Sequence, residues 1–186
     1  MTVMKNRSAV ISIITVISAF YLYELIDSGI IGTFALYKFD YFAQSHEYYR
    51  LFTVALVHDN SSTIPFHLGL NMLNLYLIGS PVERLVGRAR FLIIFFGSLL
   101  AASLASSLFL PWEGYSIGAS GAVYGVIGAF AMLGRRTGSD IRSMIGFLVI
   151  TVIIGFTIPG IDWHAHIAGF IGGALITKLL LTFSRY

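Results

Sequence analysis

Long apolar stretches recur along the chain, separated by short polar segments. A helix that crosses a membrane needs about 20 mostly apolar residues. Six stretches reach or approach this length, at about 9–31, 65–80, 90–110, 117–134, 143–158 and 164–182. The pattern predicts an all-α polytopic membrane protein, with six transmembrane helices in one domain over 9–182 and short tails at 1–8 and 183–186.

The chain is too poor in charge for an ordinary water-soluble surface. Only 11% of its 186 residues are charged and 56% are hydrophobic, whereas a soluble domain has about 25% charged residues. The absence of cysteine excludes disulfides and thiolate metal sites. No block of lysine and arginine indicates nucleic-acid binding, so the expected surroundings are a lipid bilayer.

The start of the chain has two interpretations. Lys5 and Arg7 precede an apolar run from Ala9 to about Tyr23, as in a signal peptide. No clear small-residue cleavage site ends this run. We therefore predict a retained first membrane helix, with a signal peptide as the alternative.

Positive charges collect at one end of the predicted helices. Six spans would place ten of the twelve lysines and arginines on one side, and only Lys38 and Arg50 on the other. Cytoplasmic connections of membrane proteins carry an excess of these residues. We therefore expect both termini in the cytoplasm, and a location in the cytoplasmic membrane of a prokaryote.

Residues 32–64 form the one long connection, and they are dense in tyrosine and phenylalanine. Aromatic side chains are enriched at the membrane–water interface. We predict that this loop lies partly among the lipid headgroups. An ordinary soluble loop is the alternative.

Four polar side chains lie near the starts of the second, fourth and sixth predicted helices: His67, Asn71, Ser120 and His166. Each alone has an ordinary explanation, because small and polar residues commonly join membrane helices. Together, at one depth, they supply a nucleophile, a base that takes its proton and donors for an oxyanion. Polar residues inside a membrane also indicate function by default.

Glycines accompany these polar residues. Gly118 and Gly121 flank Ser120, and Gly169 and Gly173 follow His166. Gly121 and Gly125, like Gly169 and Gly173, are small residues four apart, which let membrane helices pack closely. Such packing also explains these glycines without any catalytic role. Residues two apart point about 200° apart on a helix. Because Gly169 and Gly173 share the face of His166, the predicted base is His166 and not His164.

Five short motifs resemble, in order, those of the rhomboid family of intramembrane serine proteases. They lie at 49–53 (W-R-x-x-T, with tyrosine in place of tryptophan), 67–71 (H-x-x-x-N), 83–87 (E-x-x-x-G), 118–121 (G-x-S-G, followed by Tyr124) and 165–173 (A-H-x-x-G-x-x-x-G). Each motif alone is loose, but their order over most of the chain is specific. The resemblance is to the minimal six-helix form of the family.

The resemblance implies a catalytic dyad of Ser120 and His166 without a carboxylate. It implies an oxyanion hole formed by His67, Asn71 and the backbone N–H of Ser120, with Tyr124 packed against His166 beside the pocket. It implies no metal or cofactor. The implied substrates are single-span membrane proteins, cut near their outer end.

Two departures from the family pattern concern the first loop, and neither involves Ser120 or His166. Tyrosine replaces the tryptophan of W-R-x-x-T, and His58 and His67 stand farther apart than the H-x-x-x-x-H of many rhomboids, so the first loop is longer here. Two other functions are left open. A rhomboid-like protein that binds membrane clients without cutting them is one alternative, and a small transporter or channel with a polar lumen is another. The sequence indicates no oligomeric state and no particular substrate.

Overall fold

The computed structural model describes residues 8–60, 65–111, 113–137 and 161–183, together with residues 146, 149, 150 and 153. The described part is mostly helical. The predicted fifth helix, at 143–158, lies outside the described residues except for those four single positions, which are helical.

The first helix, α1, spans Ala9–Glu24 and is shorter than the predicted 9–31. Glu83, from a distant segment, supplies hydrogen-bond acceptors at the start of α1. The carboxylate accepts hydrogen bonds from Ser8 Oγ at 2.5 Å, Ala9 N at 2.6 Å and Val10 N at 3.1 Å. The first N–H groups of a helix have no partner within it, so Glu83 fixes where α1 begins against the second helical segment.

The connection after α1 is folded. It contains α2 (Gly29–Phe34), the two-residue strand β1 (Leu36–Tyr37), α3 (Phe39–Gln44) and α4 (Arg50–Thr53). β1 pairs antiparallel with β2 (Tyr115–Ser116), with Leu36 opposite Ser116. This pair is an exception to the all-α prediction, and it attaches the first loop to the segment just before Ser120.

Arg50 holds this loop together from inside. Its guanidinium is buried, with Nη1 donating to the carbonyl oxygens of Gly32 at 2.9 Å and Ala35 at 2.8 Å. Nε donates to Glu47 at 2.9 Å, and this hydrogen bond lowers the pKa of the Glu47 carboxyl. Because Arg50 joins three segments of the loop, the arginine of the predicted W-R-x-x-T motif has a clear packing role.

The second helical segment is longer than the predicted 65–80. It runs through α5 (Phe66–Asn74), a π-helical turn (Leu75–Gly79) and α6 (Ser80–Val86). Pro81 has no N–H to donate to the preceding turn, which explains why the helix widens just before it. The segment ends at Gly87, whose φ of 83° suits glycine.

Three helices form the centre of the molecule: α7 (Arg88–Phe109), α8 (Ser120–Leu133) and α9 (Trp163–Phe183). α8 is buried along most of its length, and each of the three helices packs against the other two. α7 and α9 are long and apolar enough to cross a membrane, whereas α1 and α8 are apolar but shorter. The count of six spanning helices therefore stays a prediction.

Glycines bring α8 and α9 into backbone contact. A Cβ placed on Gly169 would overlap the carbonyl oxygen of Gly121, and one on Gly173 would overlap the carbonyl oxygen of Gly125. The neighbouring atoms are main-chain atoms, so no side chain can move aside to make room. Gly169 and Gly173 are therefore required by this crossing, because any side chain there would meet the main chain of α8.

We expect Gly169→Ala to separate α8 from α9 and to destabilise the protein by about 1–3 kcal/mol, the usual range for overpacking. A matched control is Gly69→Ala, because a Cβ at Gly69 meets no atom within 4 Å. Thermal unfolding of the purified variants in detergent would measure both. Equal melting temperatures for Gly169→Ala and the parent protein would contradict the close crossing.

Candidate active site

Ser120 is the first residue of α8, so its backbone N–H precedes the intrahelical hydrogen bonds. The turn before it depends on Gly118, whose φ of 110° is rarely adopted by other residues. The N–H of Gly118 donates to the carbonyl of Val54 at 2.9 Å. The nucleophile candidate therefore sits on a short turn that the first loop holds from one side.

His166 lies one turn into α9, and its ring meets Ser120. Nε2 is 2.9 Å from Ser120 Oγ, and the residue is 8% exposed. The ring of Tyr124 stacks on the imidazole, with centroids 4.0 Å apart and planes 10° apart. This stacking fixes the plane of the imidazole and so directs Nε2 at the hydroxyl.

His164 points elsewhere. Its ring stacks on Phe109, with centroids 4.4 Å apart, and on Trp163, with centroids 3.7 Å apart. Its Nδ1 lies 3.8 Å from the Asp162 carboxylate. The structure therefore brings His166, and not His164, to Ser120.

Asp162 positions the start of α9 and thereby the two histidines. Its Oδ1 accepts a hydrogen bond from Ala165 N at 3.1 Å, as an N-cap residue does. Its other carboxylate oxygen accepts a hydrogen bond from Ser106 Oγ on α7. Within the described part of the chain, no ion pair joins His166 to a carboxylate.

His67 lies against the turn before Ser120. A Cβ built on Gly118 would be 2.6 Å from His67 Nε2, so only glycine leaves room for the ring. Asp59 N donates to His67 Nδ1 at 3.2 Å. Because Nδ1 is then an acceptor, the proton of the neutral ring is on Nε2, the nitrogen that faces the Gly118 turn.

Asn71 is buried one helical turn from His67. Its Nδ2 donates to the His67 carbonyl oxygen at 2.8 Å. Among the hydrogen bonds of the described residues, none joins Asn71 to Ser120. The structure thus places His67 beside the turn of the nucleophile, and Asn71 behind it with one amide hydrogen committed to its own helix.

Two buried polar residues near this site are not among the predicted site residues. Glu24 and His58 are 1% and 0% exposed. The His58 N–H donates to both Glu24 carboxylate oxygens, at 3.0 and 3.3 Å, while His58 Nε2 accepts from Ala119 N at 3.3 Å. Burial lowers the pKa of the His58 imidazole to about 3. The ring therefore stays neutral and keeps Nε2 as an acceptor.

These contacts connect the end of α1, through the first loop, to the residue before Ser120. For Glu24, the feature of the sequence that could have indicated a role is an acidic residue at the end of a long apolar run. His58 stood out only through its unusual spacing from His67, whose ring centroid is 5.0 Å away.

We expect Glu24→Ala to destabilise the fold by about 1–3 kcal/mol, because it leaves the buried His58 N–H without an acceptor. Glu24→Gln keeps an acceptor oxygen and should lose much less. Thermal unfolding in detergent compares the two, with the exposed Glu113→Ala as the control. If glutamine and alanine at position 24 destabilise equally, the hydrogen bond to His58 contributes little.

The grouping of possible metal ligands was compared with what a metal ion needs. In the ranges that the structure describes, no three His, Asp or Glu side chains are grouped to hold a metal ion. The polar groups at Ser120 suit acyl transfer, since they comprise a hydroxyl, a neutral base and N–H donors.

Within this helical bundle, Ser120 and His166 are in contact, as the resemblance to the rhomboid family implies. The chain belongs to the rhomboid family, because a model of the Rhomboid domain matches residues 45–183. Membership of this family makes it an integral membrane protein.

Curated relatives agree with the family assignment. The chain is 36% identical over 132 residues to "Rhomboid protease GluP" of Bacillus subtilis, covering 68% of this chain and 25% of that protein. It is 30% identical over 138 residues to "Putative rhomboid protease YdcA" of the same organism, covering 72% and 67%. It is 32% identical over 148 residues to "RHOMBOID-like protein 1" of Arabidopsis thaliana, covering 76% and 36%. The chain therefore spans a quarter to two thirds of the length of these relatives.

Proposed function

We propose that this protein is an intramembrane serine endopeptidase that cleaves single-span membrane proteins through a Ser120–His166 dyad. The observation that carries the proposal is the 2.9 Å separation of His166 Nε2 and Ser120 Oγ in a chain of the rhomboid family. Two curated relatives are named as rhomboid proteases, which supports the same activity.

In the first step, His166 Nε2 takes the Ser120 hydroxyl proton as Oγ attacks the carbonyl carbon of the scissile bond. A serine hydroxyl is a weak nucleophile at neutral pH and needs such a base. With the ring proton on Nδ1, neutral His166 has its Nε2 lone pair directed at Oγ. The stacked Tyr124 ring limits rotation of the imidazole out of this alignment.

The tetrahedral intermediate places negative charge on the former carbonyl oxygen. The Ser120 N–H at the start of α8 and the His67 Nε2–H at the Gly118 turn are the donors that we assign to it. The helix dipole of α8 adds partial positive charge at the same place. Asn71 holds the His67 turn and supplies its remaining amide hydrogen once substrate is bound.

The intermediate collapses when the protonated His166 gives its proton to the leaving amine, and the C–N bond breaks. A water then attacks the acyl-enzyme ester as His166 takes its proton. The second collapse returns that proton to Ser120 Oγ and releases the acid product. The dyad therefore returns to its starting state without a cofactor.

A fluorophosphonate probe and a single-span reporter test the function together. We expect purified protein in vesicles to bond the probe covalently through Ser120 and to cleave the reporter. A protein that binds membrane clients without cutting them would retain the reporter and leave it intact. That result, with no probe labelling, would replace the protease proposal.

We also propose a six-helix bundle with cytoplasmic termini and a site that opens to the outer side. The chain has no cysteine, so single cysteines can report the topology. Cysteines at the exposed positions Tyr41 and Tyr115 should react with an impermeant thiol reagent added to intact cells. Cysteines at Arg84 and Arg136 should react only after lysis, and the reverse pattern would invert the topology.

A further inference from the structure

A small cavity lies at the end of the bundle opposite to Ser120. It is bounded by the ends of α6 and α8, the start of α7 and the last turns of α9. Its lining comprises two arginines (Arg90 and Arg136), one threonine (Thr177) and six apolar residues, among them Leu85 and Leu180. Leu133, at the end of α8, also borders it and lies about 20 Å along the helix from Ser120.

The size of the cavity limits what can enter it. It encloses about 50 Å³, and one water requires about 10–15 Å³ of such space. The cavity therefore has room for a small polar group.

Arg90 and Arg136 bring two positive charges to this space. Both residues are exposed, and within the described ranges neither forms an ion pair. Two positively charged side chains at one cavity favour an anion as its occupant. Guanidinium groups bind phosphate oxygens through paired N–H donors.

Thr177 supplies an independent observation. It is 0% exposed, and its Oγ1 has no hydrogen-bond partner among the described residues. Helical threonines elsewhere in this chain donate to the carbonyl four residues back, as Thr15 and Thr182 do at 2.9 Å. The Thr177 hydroxyl lines the cavity instead, as an uncommitted donor next to the two arginines.

The apolar part of the lining favours a lipid over a free ion. Leu85 is 43% exposed, and Leu180 is partly exposed beside it. A free phosphate gains nothing from such leucines, whereas acyl chains pack on them while the headgroup meets the arginines. Basic pockets between membrane helices are known to bind anionic headgroups.

We propose that this cavity binds the phosphate of an anionic phospholipid headgroup, with Arg90, Arg136 and Thr177 as its donors. The acyl chains lie along Leu85 and Leu180. The site is separate from Ser120 and His166, and it does not depend on the proposed protease activity.

The test measures the thermal stability of the full chain in detergent as phosphatidylglycerol is added. Phosphatidylglycerol should raise the melting temperature in a saturable way, and phosphatidylcholine should not. Arg90→Gln or Arg136→Gln should weaken the apparent affinity about 10-fold or more, as loss of a charge-assisted hydrogen bond does. Thr177→Val, which keeps the shape of the side chain, should weaken it several-fold.

The matched control is Arg84→Gln, which removes the same charge from α6 at an exposed position outside the cavity lining. It should leave the lipid affinity unchanged. Arg90→Lys provides a folded comparison that keeps the charge, and it should bind more tightly than Arg90→Gln.

Equal stabilisation by both lipids would overturn the proposal. An equal loss in Arg84→Gln and Arg90→Gln would also overturn it, because the effect would then be general surface charge. If inorganic phosphate gives the same saturable shift and blocks that of phosphatidylglycerol, the ligand is a free phosphate ion and the lipid assignment is wrong.

Discussion

Ser120→Ala is expected to abolish cleavage of a membrane-protein reporter while leaving the folded protein intact. The change removes only Oγ, the atom that lies 2.9 Å from His166 Nε2. Removing the nucleophile of a serine hydrolase lowers kcat by roughly 10⁴-fold or more. Cleavage by purified protein in vesicles, followed by electrophoresis of the reporter, measures the loss.

The control for this variant is its own thermal stability. Alanine is a good residue for the first turn of a helix, so the melting temperature should match that of the parent protein. Labelling by the fluorophosphonate probe should disappear with the activity. Continued cleavage by folded Ser120→Ala protein would show that another group attacks the substrate.

His166→Ala is expected to be as inactive as Ser120→Ala, whereas His164→Ala should keep most of its activity. The two histidines stand two residues apart on α9, and only the ring of His166 reaches Ser120. The His164 ring lies between Phe109 and Trp163. Its loss should lower stability through lost ring packing, without changing the proton transfer.

The two variants are compared in one assay after adjustment for the amount of folded protein. The effects of Ser120→Ala and His166→Ala should not add in the double variant, because the two residues act in one step. If His164→Ala is the inactive one, the assigned base is wrong.

The sequence predicted the residues of the candidate site better than the boundaries of the helices that position them. Ser120 and His166 were predicted from the polar residues at the helix starts and Tyr124 from the family resemblance, and the structure places these three side chains in contact. Their roles in catalysis stay predictions. The motifs were informative because their order along the chain is specific, although each one alone is loose.

Element boundaries were less predictable. α1 ends at Glu24, whose carboxylate accepts a hydrogen bond from the N–H of His58, 34 residues away. The predicted helix continued to about 31, because hydropathy alone does not indicate such a contact. The second segment extends to Val86 because the helix absorbs Pro81 through a π-helical turn, although proline usually marks an end.

The contacts of the first loop also lay beyond sequence reasoning. Nothing in the spacing of Asp59 and His67 indicates that a backbone N–H fixes the ring proton of His67. Likewise, the sequence does not indicate that the His58 ring accepts a hydrogen bond from Ala119 N. Such contacts depend on loop geometry, which has no periodic pattern to reveal it.

The paired glycines of α8 and α9 have a mechanical consequence for a protein in a fluid bilayer. Changes in bilayer thickness alter the tilt of single membrane helices. Here Gly121 and Gly125 meet Gly169 and Gly173 through main-chain atoms, so sliding α9 along α8 would drive backbone into backbone. A misplacement of about 1 Å can lower a catalytic rate about 100-fold. The distance between Ser120 and His166 is therefore set by rigid contact within the protein, and thickness should act on substrate entry rather than on the dyad.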